Sequence, residues 1–365
     1  MHVSQIPTQL NIGQVTPSGG RGLPFVSILV INFQGAALTR ACLQSLRQLD
    51  YPNYEIIVAD NGSSPEHRGE VLAVFADFPE IKPLLLDTNS GFAGGNNAAL
   101  REARGDFILL LNNDTVVNPG FLRALVDYLL AHREAGVVQG KMLLPRCGNT
   151  LDVCGSFATA IGLPYHYGYY KPDGPKYERA VPVFGGKGAC LLFRREVVEA
   201  VGGFLFDPDF FCYYEETDFC HRAWLSGFEV HFVPSPAIQH FMGGTSDRMK
   251  RGFALEHYQR NMAFSLWGNL SAGSLLRVMP LFLGLQIAAL LIATLLGRGW
   301  QCRAHWEALI CLCKRWKKIR ERRKLIARIR RRSDAEIFAK MKRTPRLSYF
   351  IKTFTGDLAN YVDDV

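Results

Sequence analysis

FVSILVIN at residues 25–32, YEIIVAD at 54–60, IKPLLLD at 81–87 and DFILLL at 106–111 are four short apolar runs. Segments with helical spacing follow each of them, at 37–49, 65–75, 94–104 and 119–132, and a fifth apolar run, GVVQGKML, occupies 136–143. Strand and helix alternating in this way predict a mostly parallel sheet with helices on both faces. The runs lack polar alternation, as strands covered on both faces should. Pro83 removes a ladder donor, so the third run is expected at the sheet edge.

Beyond Leu144 the pattern changes. Residues 145–187 are rich in Gly, Pro and Tyr, including Tyr165, Tyr167, Tyr169 and Tyr170, and predict loops and short hairpins. A strand is expected over 189–193, helices over 195–201 and 215–225, a strand over 228–233, and a closing helix over about 248–267. Residues 1–22 are polar and read as a flexible leader, without the basic and apolar segments of a secretory signal. The expected organisation is one α/β body over 23–270, in halves 23–144 and 145–270, and a distinct region over 271–365.

The chain has 365 residues and a net charge of +9. Arg298 to Arg332 holds fourteen Lys or Arg against two Glu, so this stretch carries +12 and the remainder −3. A body that binds nucleic acid over its surface is disfavoured by that balance. Val278–Leu296 is 19 residues without a charge, long enough for a membrane segment. Pro280 and Gln286 weaken a clean span, and a crossing would leave the basic block outside, against the positive-inside rule. The basic amphipathic pattern of Lys314–Arg332 suits the surface of an anionic bilayer. The expectation is a helical, basic, membrane-associating region, peripheral or monotopic. Nine cysteines without a CxxC pair indicate neither a zinc ribbon nor a thioredoxin-like site. Free thiols in a reducing cytosol are expected.

Ligands of doubly wound sheets bind at the carboxyl ends of the strands. Here those ends carry Asn32, then DNGSS at 60–64, NSGFAGGNN at 89–97 and NNDT at 112–115. Asp60 is placed to accept from a base N–H or a ribose hydroxyl, although Asp-Asn-Gly alone is an ordinary turn. The glycine loop opens a helix whose N–H groups suit an anion. It is neither a P-loop nor the dinucleotide fingerprint. Asp114, flanked by Asn amides, suits Mg²⁺ or Mn²⁺ with a diphosphate, or simply caps the next helix. YYEETDFCHR at 213–222 sets three acids among aromatics. Burial and mutual repulsion raise carboxyl pKa values and suit a general base. An acidic first helical turn is the bland alternative. His240 precedes a Gly-Gly turn.

These stretches, with VSILVINF at 26–33, GKGACLLFRREVVEAVGGF at 186–204 and HFMGGTS at 240–246, resemble in order the inverting family 2 glycosyltransferases of GT-A fold, and most the rhamnosyltransferase-like branch of bacterial surface-polysaccharide synthesis. The resemblance implies a nucleotide-diphospho-sugar transferase fold, Rossmann-like and mostly parallel. It implies inverting transfer to a saccharide or lipid-linked acceptor at the cytoplasmic face of the plasma membrane, with dTDP-rhamnose as the leading donor. Galactofuranose, glucose or N-acetylglucosamine from a UDP-sugar are the alternatives within the class. A nucleotidyltransferase or a dead nucleotide-sugar-binding protein lies outside it. Nucleotide-sugar contacts are implied for Asn32, Asp60, Asn89, Gly91, Phe92, Asn96, Asn113 and Gly188. Asp114 and His240 are the implied ligands of Mg²⁺ or Mn²⁺, with Asn112 where relatives carry a further acid. Glu216 is the implied base, with Glu215 as the other candidate. The 165–170 aromatics are either a surface for acceptor sugar rings or hairpin core.

Overall fold

The computed structural model describes residues 22–242, 252–346, 348–350, 352 and 361. Leader residues 1–21, the GGTS of the HFMGGTS signature, and residues 248–251 of the expected closing helix lie outside the described residues.

Strands and helices alternate through β1 (Val26–Asn32), α1 (Ala36–Leu46), β2 (Tyr54–Asn61), α2 (Pro65–Asp77), β3 (Lys82–Leu86), α3 (Gly91–Glu102), β4 (Phe107–Asn112), β5 (Thr115–Val116), α4 (Phe121–Ala131) and β6 (Ala135–Leu144). Short strands β7 (Thr150–Leu151), β8 (Ser156–Thr159), β9 (Tyr165–His166) and β10 (Val181–Pro182) occupy the Gly- and Tyr-rich stretch. Then come β11 (Cys190–Arg194), α5 (Arg195–Ala200), α6 (Glu215–Leu225) and β12 (Glu229–His240). The chain continues through α7 (Phe253–Asn269), α8 (Ala272–Leu295), α9 (Gly299–Leu309), α10 (Cys311–Ile329), α11 (Asp334–Met341) and β13 (Lys342–Arg343).

The main sheet runs β3-β2-β1-β4-β11-β6-β12-β10. β3, with Pro83, lies at its edge as expected. β1, β2, β3 and β4 are parallel, in a register that sets Asn32 beside Asp60. β11 is antiparallel to both β4 and β6. Its beginning rather than its end therefore reaches the edge formed by Asn32, Asp60 and Asn112, and this brings Gly186–Ala189 there. Leu29, Val58, Leu109, Leu110 and Leu192 are fully buried between the two helical layers.

The boundary expected at 270 does not divide the core. Val278, Met279, Phe282, Ala308, Cys311, Ile319, Ile326 and Ile337 share one apolar cluster with Phe193, Phe219 and Trp224. The basic block is likewise split. Arg322 of α10 is buried, and its Nη2 bonds both oxygens of Asp218 on α6 at 2.5 Å. Arg323 donates to the carbonyls of Trp267 and Leu270 at 2.9 and 2.8 Å. Arg331 sits on the turn after α6 through its backbone N–H to the Leu225 carbonyl at 2.7 Å. Lys314, Lys317, Lys318, Arg320, Lys324 and Arg328 remain exposed.

α8 is long and apolar enough to cross a membrane. One stripe of it, at Val278, Met279, Phe282, Gln286, Ala289 and Ala293, is buried. The 3-and-4 spacing of this stripe is that of a helix lying along a body. Gln286 fixes the seat: its Nε2 donates to Gln259 at 2.8 Å, and its Oε1 lies 2.7 Å from His305 Nδ1. Leu276, Leu281, Ile287, Leu291, Ile292 and Leu295 point outward.

Asp218 makes this packing a stability requirement. Removing one partner of a buried ion pair typically costs about 3–5 kcal/mol, because the other charge is left uncompensated. Arg322→Met is expected to lower the free energy of urea unfolding by about that amount. A chain truncated before Ser274 is expected to aggregate, not to become a soluble body, which sedimentation after expression will show.

Candidate functional site

Asn32, at the end of β1, is fully buried and both ends of its amide are occupied. Nδ2 donates to Asp60 Oδ1 at 2.9 Å, and Oδ1 accepts from Gly35 N and Thr39 Oγ1 at 3.1 and 2.9 Å. The expected ligand contact is thus a support that aims Asp60. Asn113 belongs to the same network, with Nδ2 3.0 Å from Thr39 Oγ1. Asp60 is buried too. Its Oδ2 lies 3.2 Å from Arg68 Nε, yet has no aligned hydrogen bond. An open acceptor therefore remains at the end of β2.

The glycine loop is tied to β2 through Asn61. Asn61 Nδ2 donates to the Gly91 carbonyl at 2.9 Å, and its Oδ1 accepts from Ser90 N and Oγ at 3.1 and 2.9 Å. Asn89 Oδ1 accepts from Gly91 N at 2.8 Å. Gly91 has φ +73°, and a Cβ there would stand 2.1 Å from the Phe211 carbonyl oxygen. Its close approach is thus to the protein's own backbone, where Ala93 N also donates to Phe211 O at 3.0 Å. Asn96 is buried and donates back to the Phe92 carbonyl at 2.9 Å; it is part of the helix and not of an open surface. Phe92 itself faces Gly188: a Cβ on Gly188 would lie 3.0 Å from the Phe92 ring and 3.8 Å from Glu216 Cβ. Phe92, Gly188 and Glu216, far apart in the chain, meet here.

The acidic pair opens α6 after a strained loop. Phe211, Tyr213 and Tyr214 have φ of 62°, 66° and 74°. Left-handed backbone costs a non-glycine residue roughly 1–2 kcal/mol. Such strain persists only where surroundings over-determine it, often at functional sites. Asn261 of α7 supplies the restraint, with Nδ2 within 2.8–3.0 Å of the carbonyls of Phe210, Cys212 and Tyr213. Glu215 is buried and Glu216 half-buried, and each has one carboxylate oxygen without a partner. Burial pushes the Glu215 carboxyl well up, and the neighbouring Glu216 charge adds to this. Burial raises Glu216 as well, against the opposing pull of backbone N–H groups and Lys187.

His240, the last residue of β12, stands between two carboxylates. Nδ1 lies 2.7 Å from Asp152 Oδ2, and Nε2 lies 3.2 Å from Asp114 Oδ1. Burial alone would lower its pKa, but Asp114 and Asp152 outweigh burial and raise it. Asp152 is fully buried, and Lys187 at 2.7 Å and His240 bring its carboxyl down to about 2. A carboxylate on one ring nitrogen fixes the tautomer and orients the other nitrogen toward its ligand. Asp114 Oδ1, buried and facing His240 Nε2 at 3.2 Å, forms with it a neighbouring O,N pair suited to a divalent cation. Asn112, in place of a second acid, lies 3.5 Å from Nε2. No group of three or more His, Cys, Asp or Glu side chains suited to a metal occurs among the described residues.

Lys187 joins the two clusters, since it pairs with Asp152 and is followed by Gly188 against Glu216. Sequence reasoning missed Asp152, Asn261 and the role of Lys187. Only Lys187 carried a signal, as a lone cation between two glycines at a strand start. Tyr165 and Tyr167 are buried against Phe157, hence hairpin core, while Tyr169 and Tyr170 are half-exposed.

Asn261→Ala is expected to leave the Cys212 and Tyr213 carbonyls of the strained loop without this donor, while the Phe210 carbonyl keeps the Cys212 N–H at 2.7 Å. An unsatisfied buried polar group costs about 1–3 kcal/mol, and urea unfolding should show a loss of at least that size. A loss below about 0.5 kcal/mol, the level of ordinary surface changes, would mean that the loop does not depend on Asn261.

Comparison with known proteins agrees with this layout. Residues 27–202 match the family described as Glycosyl transferase family 2. The O-antigen biosynthesis protein RfbC of Myxococcus xanthus is 33% identical over 193 residues, covering 50% of this chain and 15% of that protein. An N-acetylglucosaminyl-diphospho-decaprenol L-rhamnosyltransferase of Mycobacterium tuberculosis is 26% identical over 231 residues, covering 57% of this chain and 73% of that protein. An uncharacterized protein of Sinorhizobium fredii is 28% identical over 60% of this chain, which spans 24% of its length. Among solved structures, GalNAc-T7 with UDP, GalNAc and Mn²⁺ superposes with a TM-score of 0.63 at 15% identity, over 92% of this chain and 58% of that one. That likeness shows the GT-A fold. Residues 27–202 thus match a glycosyl transferase family 2 domain, and the ordered strand-end signatures and the fold agree with that match.

Proposed function

We propose that this chain transfers a sugar from a nucleoside-diphosphate sugar to an acceptor hydroxyl, with inversion at the anomeric carbon. The observation that carries this reading is the meeting of Glu216 with Phe92 and Gly188, beside Lys187, Asp152, His240 and Asp114. An acidic pair of raised pKa and an O,N donor pair at one sheet edge suit proton removal and diphosphate binding. Asp60, held by Asn32, is the acceptor for the base or ribose.

Glu216 is the better base of the pair, because it is half-exposed and borders Gly188, whereas Glu215 is buried. In the proposed step Glu216 accepts the proton of the acceptor hydroxyl while the oxygen attacks the anomeric carbon. The nucleoside diphosphate departs from the opposite face, and no enzyme-bound sugar intermediate forms. Asp114 and His240 would hold Mg²⁺ or Mn²⁺, which when bound neutralises charge on the diphosphate. Asp152, itself anchored by Lys187, keeps the His240 ring oriented.

The leading donor is dTDP-rhamnose and the leading acceptor a lipid-linked saccharide. The name of the mycobacterial relative, a rhamnosyltransferase acting on a diphospho-decaprenol substrate, supports both. The outward leucines of α8 and the exposed cations of α10 support a peripheral or monotopic site at the cytoplasmic face of the plasma membrane. A panel of nucleotide sugars with a lipid-linked acceptor, read by product mass, tests the donor.

Glu216→Gln is expected to lower turnover by 10²–10⁴-fold, the usual loss for a general base, with nucleoside-diphosphate affinity retained. Activity within about threefold of wild type, far short of that range, would move the role to Glu215. A base must be deprotonated to act, so its raised pKa places the acid limb of the kcat/KM profile above the ordinary Glu value of about 4.3. Asp114→Ala is expected to weaken nucleoside-diphosphate binding in Mn²⁺ more than in EDTA, as calorimetry will measure. Full turnover in EDTA would exclude the metal.

A further inference from the structure

A cleft of about 800 Å³ opens between α7, α9 and α10. Arg260, Glu307, Lys314, Arg315, Lys317 and Lys318 line it, and exposed Trp316 stands among them. α10 departs from helical geometry at Arg315, within this lining, with φ −117° and ψ 17°. Five cations meet three neighbouring carboxylates, of which Glu256, near Arg260, is itself paired with Arg303 at 2.9 Å. Glu307 lies 2.9 Å from Lys314, and Asp209 pairs with Arg315 at 3.6 Å and with Lys318. Lys317 makes no ion pair among the described residues. Gathered like charges repel one another, and an anion relieves that repulsion. Phosphate, with several acceptor oxygens, suits a set of Arg forks and Lys point charges.

Neighbouring surface indicates where such a phosphate comes from. α9 supplies Glu307 to the cleft and packs against α8 on its other side through the His305–Gln286 contact. α8 turns Leu291, Ile292 and Leu295 outward. Trp306 on α9 and Trp316 on α10 are half-exposed, as is typical of tryptophans at a membrane–water boundary. Apolar residues, boundary tryptophans and a cationic cleft side by side match the order of layers in an anionic leaflet.

We propose that this cleft binds the phosphate of an anionic membrane lipid and so fixes how the chain docks on the bilayer. The site rests on the membrane-facing reading above and is independent of the sugar-transfer reading. Asp209 heads the 209–214 loop that leads into Glu215 and Glu216, so lipid phosphate competes with Asp209 for Arg315 and Lys318.

Flotation of the full chain with phosphatidylcholine vesicles, with and without phosphatidylglycerol, tests the site. Lys314→Gln with Lys317→Gln is expected to weaken binding to the phosphatidylglycerol vesicles about thirtyfold, from about 1 kcal/mol per basic residue near the surface. The control pair, of equal charge change and outside the cleft, is Lys324→Gln with Arg328→Gln. It is expected to lose less than about fivefold, one residue's worth. Equal losses in the two pairs would overturn the site and leave only diffuse attraction. Absence of binding by the unaltered chain would overturn the membrane reading and the site together, while a donor-turnover assay on the same sample reports separately on sugar transfer. Retained nucleoside-diphosphate binding shows that each variant is folded.

Discussion

A single carboxylate, that of Asp218, ties α6 to both α7 and α10. It is fully buried in α6, two positions after Glu216. Burial alone would raise its pKa, but Arg322 and Arg222 outweigh that and hold it well below the usual carboxylate range. Ser265 Oγ and Asn269 Nδ2 of α7 complete its shell at 2.8 and 2.9 Å. Three helices therefore converge on one charge. Each contributes a donor, and none can withdraw without leaving a buried ion short of a partner.

That constraint decides what the C-terminal region is. A basic amphipathic helix could lie wholly on a membrane, with all its cations in the headgroups. Here Arg322 points inward, and Gly268 makes room for it: a Cβ at Gly268 would stand 2.6 Å from Arg322 Cγ. The inner face of α10 is a structural wall of the α6–α7 layer, and only its outer face is exposed. The same division runs along α8, where Gln286 is buried in a polar seat and the leucines opposite it are exposed.

The site is held together by a comparable chain of contacts. Lys187 neutralises Asp152, Asp152 orients His240, and the backbone beyond Lys187 brings Gly188 against Phe92 and Glu216. The strained 211–214 loop stands on the opposite side of Phe92's helix start, through the Phe211 carbonyl on Ala93 N. The α3 glycine loop and the acidic pair are thus held by a shared backbone contact, which is the physical reason Gly91 has no room for a side chain.

The sequence by itself determined the sheet, its edge strand, the helix at Glu215–Leu225 and the strand ends that carry Asp60, Asp114 and the glycine loop. Apolar periodicity and turn chemistry are local, and local signals are written in consecutive residues. Tertiary structure alone decided which polar residues face a ligand and which face the protein. Asn32 and Asn96 sit in signatures yet use their amides internally, whereas Asp152, in a stretch that reads as loops, is the partner of His240. It also decided that Arg322 is buried while Lys317, earlier on the same helix, is exposed. Such pairings join residues as far apart as Asp218 and Arg322, or Asp152 and His240. The free energy of a buried charge depends on what the fold brings beside it, and no spacing rule within one segment reports that.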